Sequence, residues 1–140
     1  MKRVFFACTG NAMRSQMAEG LARHLAREGM VEVRSGGTNP AGFVHPAAVR
    51  AMTERGIDIS RHTSKPLDLK FIESADAFIT LCGPMDDACP RRLAARALDW
   101  AQPDPSWGGE AEVRKVRDDI ERLITGLFED WGVLRADRSA

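Results

Sequence analysis

The sequence CTGNAMRS at residues 8–15 places an arginine, Arg14, six positions after a cysteine, Cys8. A cysteine thiolate is a nucleophile, and the planar guanidinium of arginine matches two oxygens of a tetrahedral oxyanion. Gly10 and Asn11 tolerate a positive φ, so a strand before them and a helix after them would turn successive backbone N–H groups toward one point. These features predict an oxyanion-binding loop in which Cys8 attacks the bound anion. The predicted oxyanion-binding residues are Thr9, Gly10, Asn11, Ala12, Met13, Arg14 and Ser15.

The expected surroundings of Cys8 favour a thiolate. The positive end of a helix, inward-facing amides and the Arg14 guanidinium all stabilise a negative charge, and the Ser15 hydroxyl can donate to the sulfur. A simpler interpretation makes Cys8 a buried residue at a strand end and Arg14 a solvated helix residue. That interpretation leaves the Gly10–Asn11 pair unexplained. The phosphate-binding pattern GxxxxGK[ST] and the dinucleotide-binding pattern GxGxxG are both missing from the chain.

The composition excludes several classes of protein. A chain of 140 residues suits one domain, residues 1–140, and its 20 basic and 20 acidic residues leave no net field for nucleic acid or anionic lipid. No apolar segment approaches the roughly 18–20 residues of a membrane span. We therefore expect no membrane or nucleic-acid partner, and a cytoplasmic location. The three cysteines, Cys8, Cys82 and Cys89, contain no C-x-x-C pair, so we expect reduced thiols and neither a metal nor another cofactor.

Alternating strands and helices are predicted to position the loop. The predicted strands cover residues 2–8, 31–35, 75–82 and 96–100, and the predicted helices cover residues 14–28, 46–56 and 113–131. This order indicates right-handed crossovers and a parallel sheet covered by helices on both faces. Ligands bind such sheets beyond the carboxyl ends of the strands, which is where Cys8 and Cys82 fall.

The segment CTGNAMRSQMAEG, residues 8–20, resembles the phosphate-binding loop of the low-molecular-weight tyrosine phosphatase superfamily, specifically of its thioredoxin-coupled arsenate reductases. The likeness continues through GIDISRHTS, ITLCGPMDDACP and LDWAQPDPSWG, and so spans nearly the whole chain. The resemblance implies an α/β fold, a single three-layer domain with a four-stranded parallel sheet flanked by helices. It also implies reduction of arsenate to arsenite in arsenic resistance, with phosphate and sulfate as substrate analogues.

The resemblance assigns roles to the remaining residues. It implies that Cys8 attacks arsenate, that Cys82 displaces arsenite, and that Cys89 resolves the product into a redox-active Cys82–Cys89 disulfide reduced by thioredoxin. It also implies that Asp104, in the Asp-Pro sequence, is the general acid. Without the resemblance, Cys82 is equally well a core residue, Cys89 a loop residue and Asp104 part of a turn.

Two positions depart from the family pattern. Met13 stands where many relatives have a second cysteine in the loop. Lys65 follows HTS, where relatives that bind potassium have an acidic residue. We expect the Lys65 ammonium to replace the ion by reaching toward Glu19 and Asn11, as structural support for the loop. His62 can tune Cys82, although a surface histidine with satisfied hydrogen bonds is the simpler interpretation.

Two other functions fit the loop. A phosphatase acting on phosphotyrosine or small phosphate esters would use the same Cys8 and Arg14, with Cys82 and Cys89 as bystanders or redox regulators. A non-catalytic oxyanion-binding or thiol-sensing module would use the loop without turnover.

Overall fold

The computed structural model describes residues 1–82 and 95–136. Strands in these ranges are β1 Lys2–Cys8, β2 Val31–Gly37, β3 Ala77–Thr80 and β4 Ala97–Asp99. They form one parallel sheet in the order β2–β1–β3–β4, which confirms the predicted four-stranded parallel α/β architecture. The α-helices are α1 Arg14–Leu25, α2 Pro46–Thr53, α3 Leu69–Ser74 and α4 Glu110–Trp131, and a 3-10 helix covers Pro105–Trp107.

The central strand β1 connects two apolar layers. Successive side chains of a strand point to opposite faces of the sheet. Val4 and Phe6 accordingly pack in the cluster that contains α1, α2 and α4, whereas Phe5 and Ala7 pack in the cluster that contains α3. Both faces of β1 are therefore shielded from solvent, and packing on both sides holds its carboxyl end at Cys8.

Helix α4 packs along one apolar face, as its spacing predicts. Two of the predicted positions, Leu123 and Trp131, are only half-buried. The buried Arg117 on the same face donates to the carbonyl of Ala51 and to Glu54, at 2.8 Å each, and so joins α4 to α2. The fully buried positions of the predicted face are Val113, Val116, Ile120, Ile124, Leu127 and Phe128.

Helix α1 ends at Leu25, so the prediction that it continues to residue 28 is wrong. Ala26 is extended and forms an antiparallel bridge with Leu134, and the Arg27 N–H donates to the Val133 carbonyl at 2.7 Å. The segment after α4 thus supplies hydrogen bonds that replace the last helical turn.

The other element boundaries differ by a few residues. Strand β2 continues two residues beyond the prediction, while β3, β4 and α2 are shorter than predicted. Helix α3 is missing from the prediction because six residues are too few for a helical period to show. Asp68 caps its N-terminus, and the Asp68 carboxylate accepts from the Phe71 N–H at 3.1 Å. None of the described helices is long and apolar enough to cross a lipid bilayer.

We predict that Ile120→Ala destabilises the protein by about 2–5 kcal/mol, because Ile120 is fully buried and its loss leaves a cavity between α4 and the sheet. Lys115→Ala on the exposed side of the same helix should change the free energy of unfolding by less than about 0.5 kcal/mol. Urea unfolding followed by circular dichroism measures both. Equal effects would show that α4 is not packed as described.

Candidate active site

The loop of residues 8–15 is held from outside by residues 38–45, which we call the bracing segment. Four backbone N–H groups of this segment donate to loop carbonyls at 2.9–3.3 Å. Because the C=O and N–H groups of a trans peptide point in opposite directions, drawing the carbonyls outward turns the loop amides inward. The donor and acceptor residues are Thr38 with Cys8, Asn39 with Thr9, Ala41 with Gly10, and His45 with Ala12.

Several inward-facing amides are available to an anion. Within residues 1–82 and 95–136, the N–H groups of Gly10, Ala12, Met13 and Arg14 have no acceptor. Such a ring of donors at the start of α1 adds to the positive end of the helix dipole. Unpaired N–H groups are what an oxyanion-binding loop needs, and the binding of an oxyanion here stays a prediction.

Asn11 holds the loop in shape from inside. It has a φ of 47°, and its side chain is fully buried. Its Nδ2 donates to Ser15 Oγ at 2.8 Å and to Ser35 Oγ at 3.0 Å, and its Oδ1 accepts from Gln16 Nε2 at 2.9 Å and from the Lys65 backbone N–H at 2.8 Å. Asparagine suits this position because it tolerates the left-handed conformation and satisfies every hydrogen bond.

Gly37 allows the end of β2 to contact the loop. It pairs with Cys8 in the parallel ladder. A Cβ at position 37 would lie 2.4 Å from the carbonyl oxygen of Thr9 and 3.1 Å from the Asn11 nitrogen. Any side chain here would therefore displace the loop backbone.

Cys8 and Cys82 leave the sheet side by side. The Leu81 N–H donates to the Ala7 carbonyl at 2.9 Å, so the next residue of each chain segment emerges at the same edge. The Cys82 sulfur accepts from the N–H of Thr9, the residue after Cys8, at 3.1 Å. Both cysteines are free thiols. The structure thus brings together the two predicted sulfur atoms.

The two sulfurs titrate as a pair. The pKa of Cys8 is lowered to about 6, chiefly because the Cys82 thiol donates to the thiolate; burial opposes this. Ser15 Oγ at 2.9 Å and the Asn11 N–H at 3.1 Å also stabilise the Cys8 thiolate. The pKa of Cys82 is raised far above its ordinary value by the hydrogen bond to Cys8, by burial and by the Cys8 charge. Near neutral pH, Cys8 is the thiolate and Cys82 is the thiol.

Arg14 and Asp104 lie on the side of the site formed by the segment after β4. The Arg14 guanidinium donates to the Gln102 carbonyl at 2.9 Å. Asp104 is exposed, and its carboxylate accepts from the Ser106 N–H at 3.0 Å. Partial burial raises the pKa of Asp104, but the hydrogen bonds from Ser106 and the charge of Arg14 outweigh it and hold the pKa below its usual value.

A buried carboxylate, Glu19, supports the loop from below. Lys65 Nζ lies 3.3 Å from its Oε1, Arg23 lies 2.7 Å from its Oε2, and the Ser35 hydroxyl donates to it. Burial opposes ionisation, yet the Ser35 hydrogen bond and the Lys65 and Arg23 charges lower the pKa of Glu19. Lys65 reaches Glu19 as expected, but its contact with Asn11 comes from the backbone N–H and not from the ammonium.

Sequence reasoning missed several parts of the site. The bracing segment and the Gln102 carbonyl act through backbone atoms, which carry no sequence signal. Gln16 donates to the carbonyl and the side chain of Asn11 and to the Thr63 carbonyl, at 2.9–3.1 Å. Its position two residues after Arg14 is the sequence signal that could have indicated a role in the loop. His62 hydrogen-bonds to Gln16 at 3.0 Å. Its interaction with Cys82 stays a prediction.

One predicted residue, Cys89, lies outside the described residues. Among the residues that are described, no three His, Cys, Asp or Glu side chains group closely enough to hold a metal ion.

Comparison with known proteins gives a family and several similar proteins. A family profile described as low molecular weight phosphotyrosine protein phosphatase matches residues 3–139. The chain is 40% identical over 124 residues to arsenate reductase 2 of Staphylococcus epidermidis, covering 88% of this chain and 93% of the relative.

Two solved structures illustrate the range of similar folds. A thioredoxin-dependent arsenate reductase of Corynebacterium glutamicum is 35% identical with a TM-score of 0.78, covering 93% of this chain and 61% of that chain. The arginine phosphatase YwlE of Geobacillus stearothermophilus is 28% identical with a TM-score of 0.80, covering 94% of each chain.

We predict that the Cys82 thiol lowers the pKa of Cys8. In a Cys89→Ser background, Cys82→Ala should raise the pKa of Cys8 from about 6 toward the 9.0 of an ordinary thiol, because the main donor to the thiolate is lost. The pH dependence of Cys8 alkylation by iodoacetamide, read by peptide mass spectrometry, measures this. The control is Cys89→Ser alone. An unchanged titration curve would contradict this cause of the low pKa of Cys8.

Proposed function

The chain belongs to the low molecular weight phosphotyrosine protein phosphatase family, and we propose that within this family it is an arsenate reductase. The observation that carries the proposal is the position of the Cys82 sulfur, which accepts at 3.1 Å from the N–H of Thr9, the residue next to Cys8. Hydrolysis of a phosphocysteine needs only water, whereas reduction of a cysteine–arsenate adduct needs a second thiol that attacks the first. Similarity at 40% identity to a protein named arsenate reductase supports the same activity.

In the first step, arsenate binds the loop amides and the Arg14 guanidinium, and the Cys8 thiolate attacks arsenic. A sulfur–arsenic bond forms as an arsenic–oxygen bond breaks. We assign Asp104 the role of protonating the departing oxygen, which leaves as water. Its lowered pKa rises when a bound oxyanion offsets the Arg14 charge that now stabilises the carboxylate.

In the second step, Cys82 becomes the nucleophile. Formation of the adduct removes the negative charge from the Cys8 sulfur, and with it two of the three causes that raise the pKa of Cys82, leaving only burial. The Cys82 thiolate then attacks the Cys8 sulfur. A Cys8–Cys82 disulfide forms, the sulfur–arsenic bond breaks, and its electron pair stays on arsenic, which leaves as arsenite. Cys8 therefore ionises first, and Cys82 ionises only after the adduct has formed.

In the third step, Cys89 attacks Cys82 and releases Cys8. The Ser15 hydroxyl and the Asn11 N–H, which hydrogen-bond to the Cys8 sulfur, stabilise the departing Cys8 thiolate and favour this exchange. The resulting Cys82–Cys89 disulfide is reduced by thioredoxin. Support for thioredoxin comes from the chain's own pair of resolving thiols and from similarity to a reductase titled thioredoxin-dependent.

We further propose that Lys65 does the work of a structural cation. Its ammonium lies 3.3 Å from Glu19, 3.4 Å from Ser35 Oγ and 3.0 Å from the Thr63 carbonyl. These are oxygen ligands of the kind that a monovalent cation binds. A second positive charge among them would be repelled by the ammonium.

A phosphatase is the second candidate function, favoured by the similarity to an arginine phosphatase. The loop amides, Arg14 and Cys8 would serve phosphate as well as arsenate. The two functions differ in what happens to the adduct, so the resolving thiols decide between them.

We predict that Cys82→Ser and Cys89→Ser each abolish arsenate-dependent oxidation of NADPH in the presence of thioredoxin and thioredoxin reductase, because the adduct cannot be reduced or the disulfide cannot be passed on. Hydrolysis of p-nitrophenyl phosphate, if present in the wild type, should survive in both variants and be lost in Cys8→Ser. After one arsenate turnover without reductant, mass spectrometry should find a Cys82–Cys89 disulfide with Cys8 free. Unchanged arsenate turnover in either variant would exclude the reductase mechanism.

We predict that activity does not depend on potassium, because the Lys65 ammonium occupies the cation position. Replacing sodium by potassium at constant ionic strength should leave kcat/KM unchanged in the wild type. Lys65→Met removes the charge, should lower Tm, and should make Tm rise with potassium. Strong potassium stimulation of the wild type would refute the proposal.

A further inference from the structure

The Ser64 hydroxyl connects the bracing segment to the loop that contains Cys8. Its Oγ accepts from the Gly42 N–H at 3.2 Å and donates to the Gly10 carbonyl at 3.0 Å. The direction of the second bond is fixed, because a carbonyl oxygen can only accept and the hydroxyl has one proton to give. The Gly10 carbonyl also accepts from the Ala41 N–H at 2.9 Å. Two donors therefore hold this one carbonyl on the outside of the loop.

The other end of the same peptide group faces the reactive sulfur. The C=O of Gly10 and the N–H of Asn11 belong to one trans peptide and point in opposite directions. That N–H donates to the Cys8 sulfur at 3.1 Å. A peptide group whose C=O accepts hydrogen bonds is more strongly polarised, and its N–H is a better donor. A hydrogen-bonded path therefore runs from the Ser64 hydroxyl through this peptide group to the Cys8 sulfur.

We propose that Ser64 is a positioning residue for Cys8: its hydroxyl orients and polarises the Gly10–Asn11 peptide group, so that the Asn11 N–H stabilises the Cys8 thiolate. Ser64 does not touch the substrate in this role and acts only through the peptide group. The role rests on the proposed function only in taking Cys8 as the attacking group, and it is the same for attack on arsenate or on phosphate. The Asn11 N–H serves the thiolate twice, when Cys8 attacks and when it departs.

Rotation of this peptide group would reverse its effect. A flipped peptide would point the Gly10 carbonyl oxygen at the thiolate, and like charges and partial charges repel. Asn11 already adopts a φ of 47°, a left-handed conformation that is costly for a residue other than glycine. The Asn11 side chain holds one end of the turn, while Ser64 and Ala41 hold the carbonyl outward. Without Ser64, Ala41 alone would hold it, so the bond to the sulfur would be weakened and not lost.

The hydrogen bond from Asn11 is one of several influences on the pKa of Cys8. Cys82 lowers this pKa most, burial opposes it, Ser15 lowers it further, and the Asn11 N–H follows. Ser64 controls only the strength and alignment of the Asn11 bond, so its effect is modest. Cooperative strengthening of roughly 10–30% in a hydrogen bond to a charged group, together with better alignment, corresponds to a shift of about half a pH unit.

The test compares Ser64→Thr, which keeps the hydroxyl, with Ser64→Val, which has the same shape without it. The pH dependence of Cys8 alkylation by iodoacetamide, read by peptide mass spectrometry, gives the pKa of Cys8 in each reduced, full-length protein. In Ser64→Val and Ser64→Ala this pKa should rise from about 6 by about half a pH unit. Alkylation at pH 5, below the pKa, should then slow about threefold, whereas alkylation at pH 8 should barely change. Ser64→Thr should titrate like the wild type.

The matched control is Ser60→Ala, which removes an exposed hydroxyl four residues earlier and should leave the Cys8 titration unchanged. Two results would overturn the proposal. The first is one Cys8 titration curve shared by Ser64→Thr and Ser64→Val. The second is a lowered Tm in Ser64→Ala with the pKa of Cys8 unchanged, which would make the hydroxyl bond a structural one only. If circular dichroism shows that Thr or Val disturbs the fold, Ser64→Ala against the wild type decides.

The alkylation readout is independent of the proposed function. It needs no arsenate, phosphate or thioredoxin, and all variants keep Cys82 and Arg14. A protein that fails to reduce arsenate but shows the Ser64 shift would refute the proposed function alone. A protein that reduces arsenate without the shift would refute the role of Ser64 alone.

Discussion

The coupled ionisation of Cys8 and Cys82 leaves one proton for the two sulfurs near neutral pH. It makes Cys8 the charged member and Cys82 the neutral one, and it ties the reactivity of each sulfur to the chemical state of the other. The order of events in the proposed relay follows from this link, since modification of Cys8 is what releases Cys82. A loop that only trapped oxyanions would not need the second sulfur.

The two cysteines lie at adjacent strand ends because the backbone around them is held from several directions. The bracing segment draws the loop carbonyls outward, Asn11 fills the interior of the turn, and Gly37 lets β2 approach without a side chain between them. Glu19 and Lys65 then place a neutralised ion pair beneath Asn11. Binding an anion in such a preformed site costs little rearrangement, which is the condition under which backbone amides stabilise charge well.

The sequence predicts the reactive residues of the site better than the contacts that hold them in place. The spacing of Cys8 and Arg14 and the strand before them predict the loop, because strand, turn and helix signals are local. The apolar period of α4 predicts its buried face for the same reason. The early end of α1 depends on Val133 and Leu134, more than a hundred residues away, and no local pattern contains that information. The bracing segment acts through main-chain atoms that nearly any residue could supply. The early end of α1 and the position of the bracing segment follow from tertiary contacts and not from local secondary-structure propensity.

The parallel pairing of β1 with β3 fixes more than the shape of the sheet. Its register joins Ala7 to Thr80, and the Leu81 N–H extends the pairing by one further bond. Each residue of a strand advances the chain by about 3.3 Å and reverses the direction of its side chain. An insertion or deletion of one residue in β3 would therefore turn the Cys82 sulfur to the opposite face. The length of this short, fully buried strand therefore decides which way the Cys82 sulfur points.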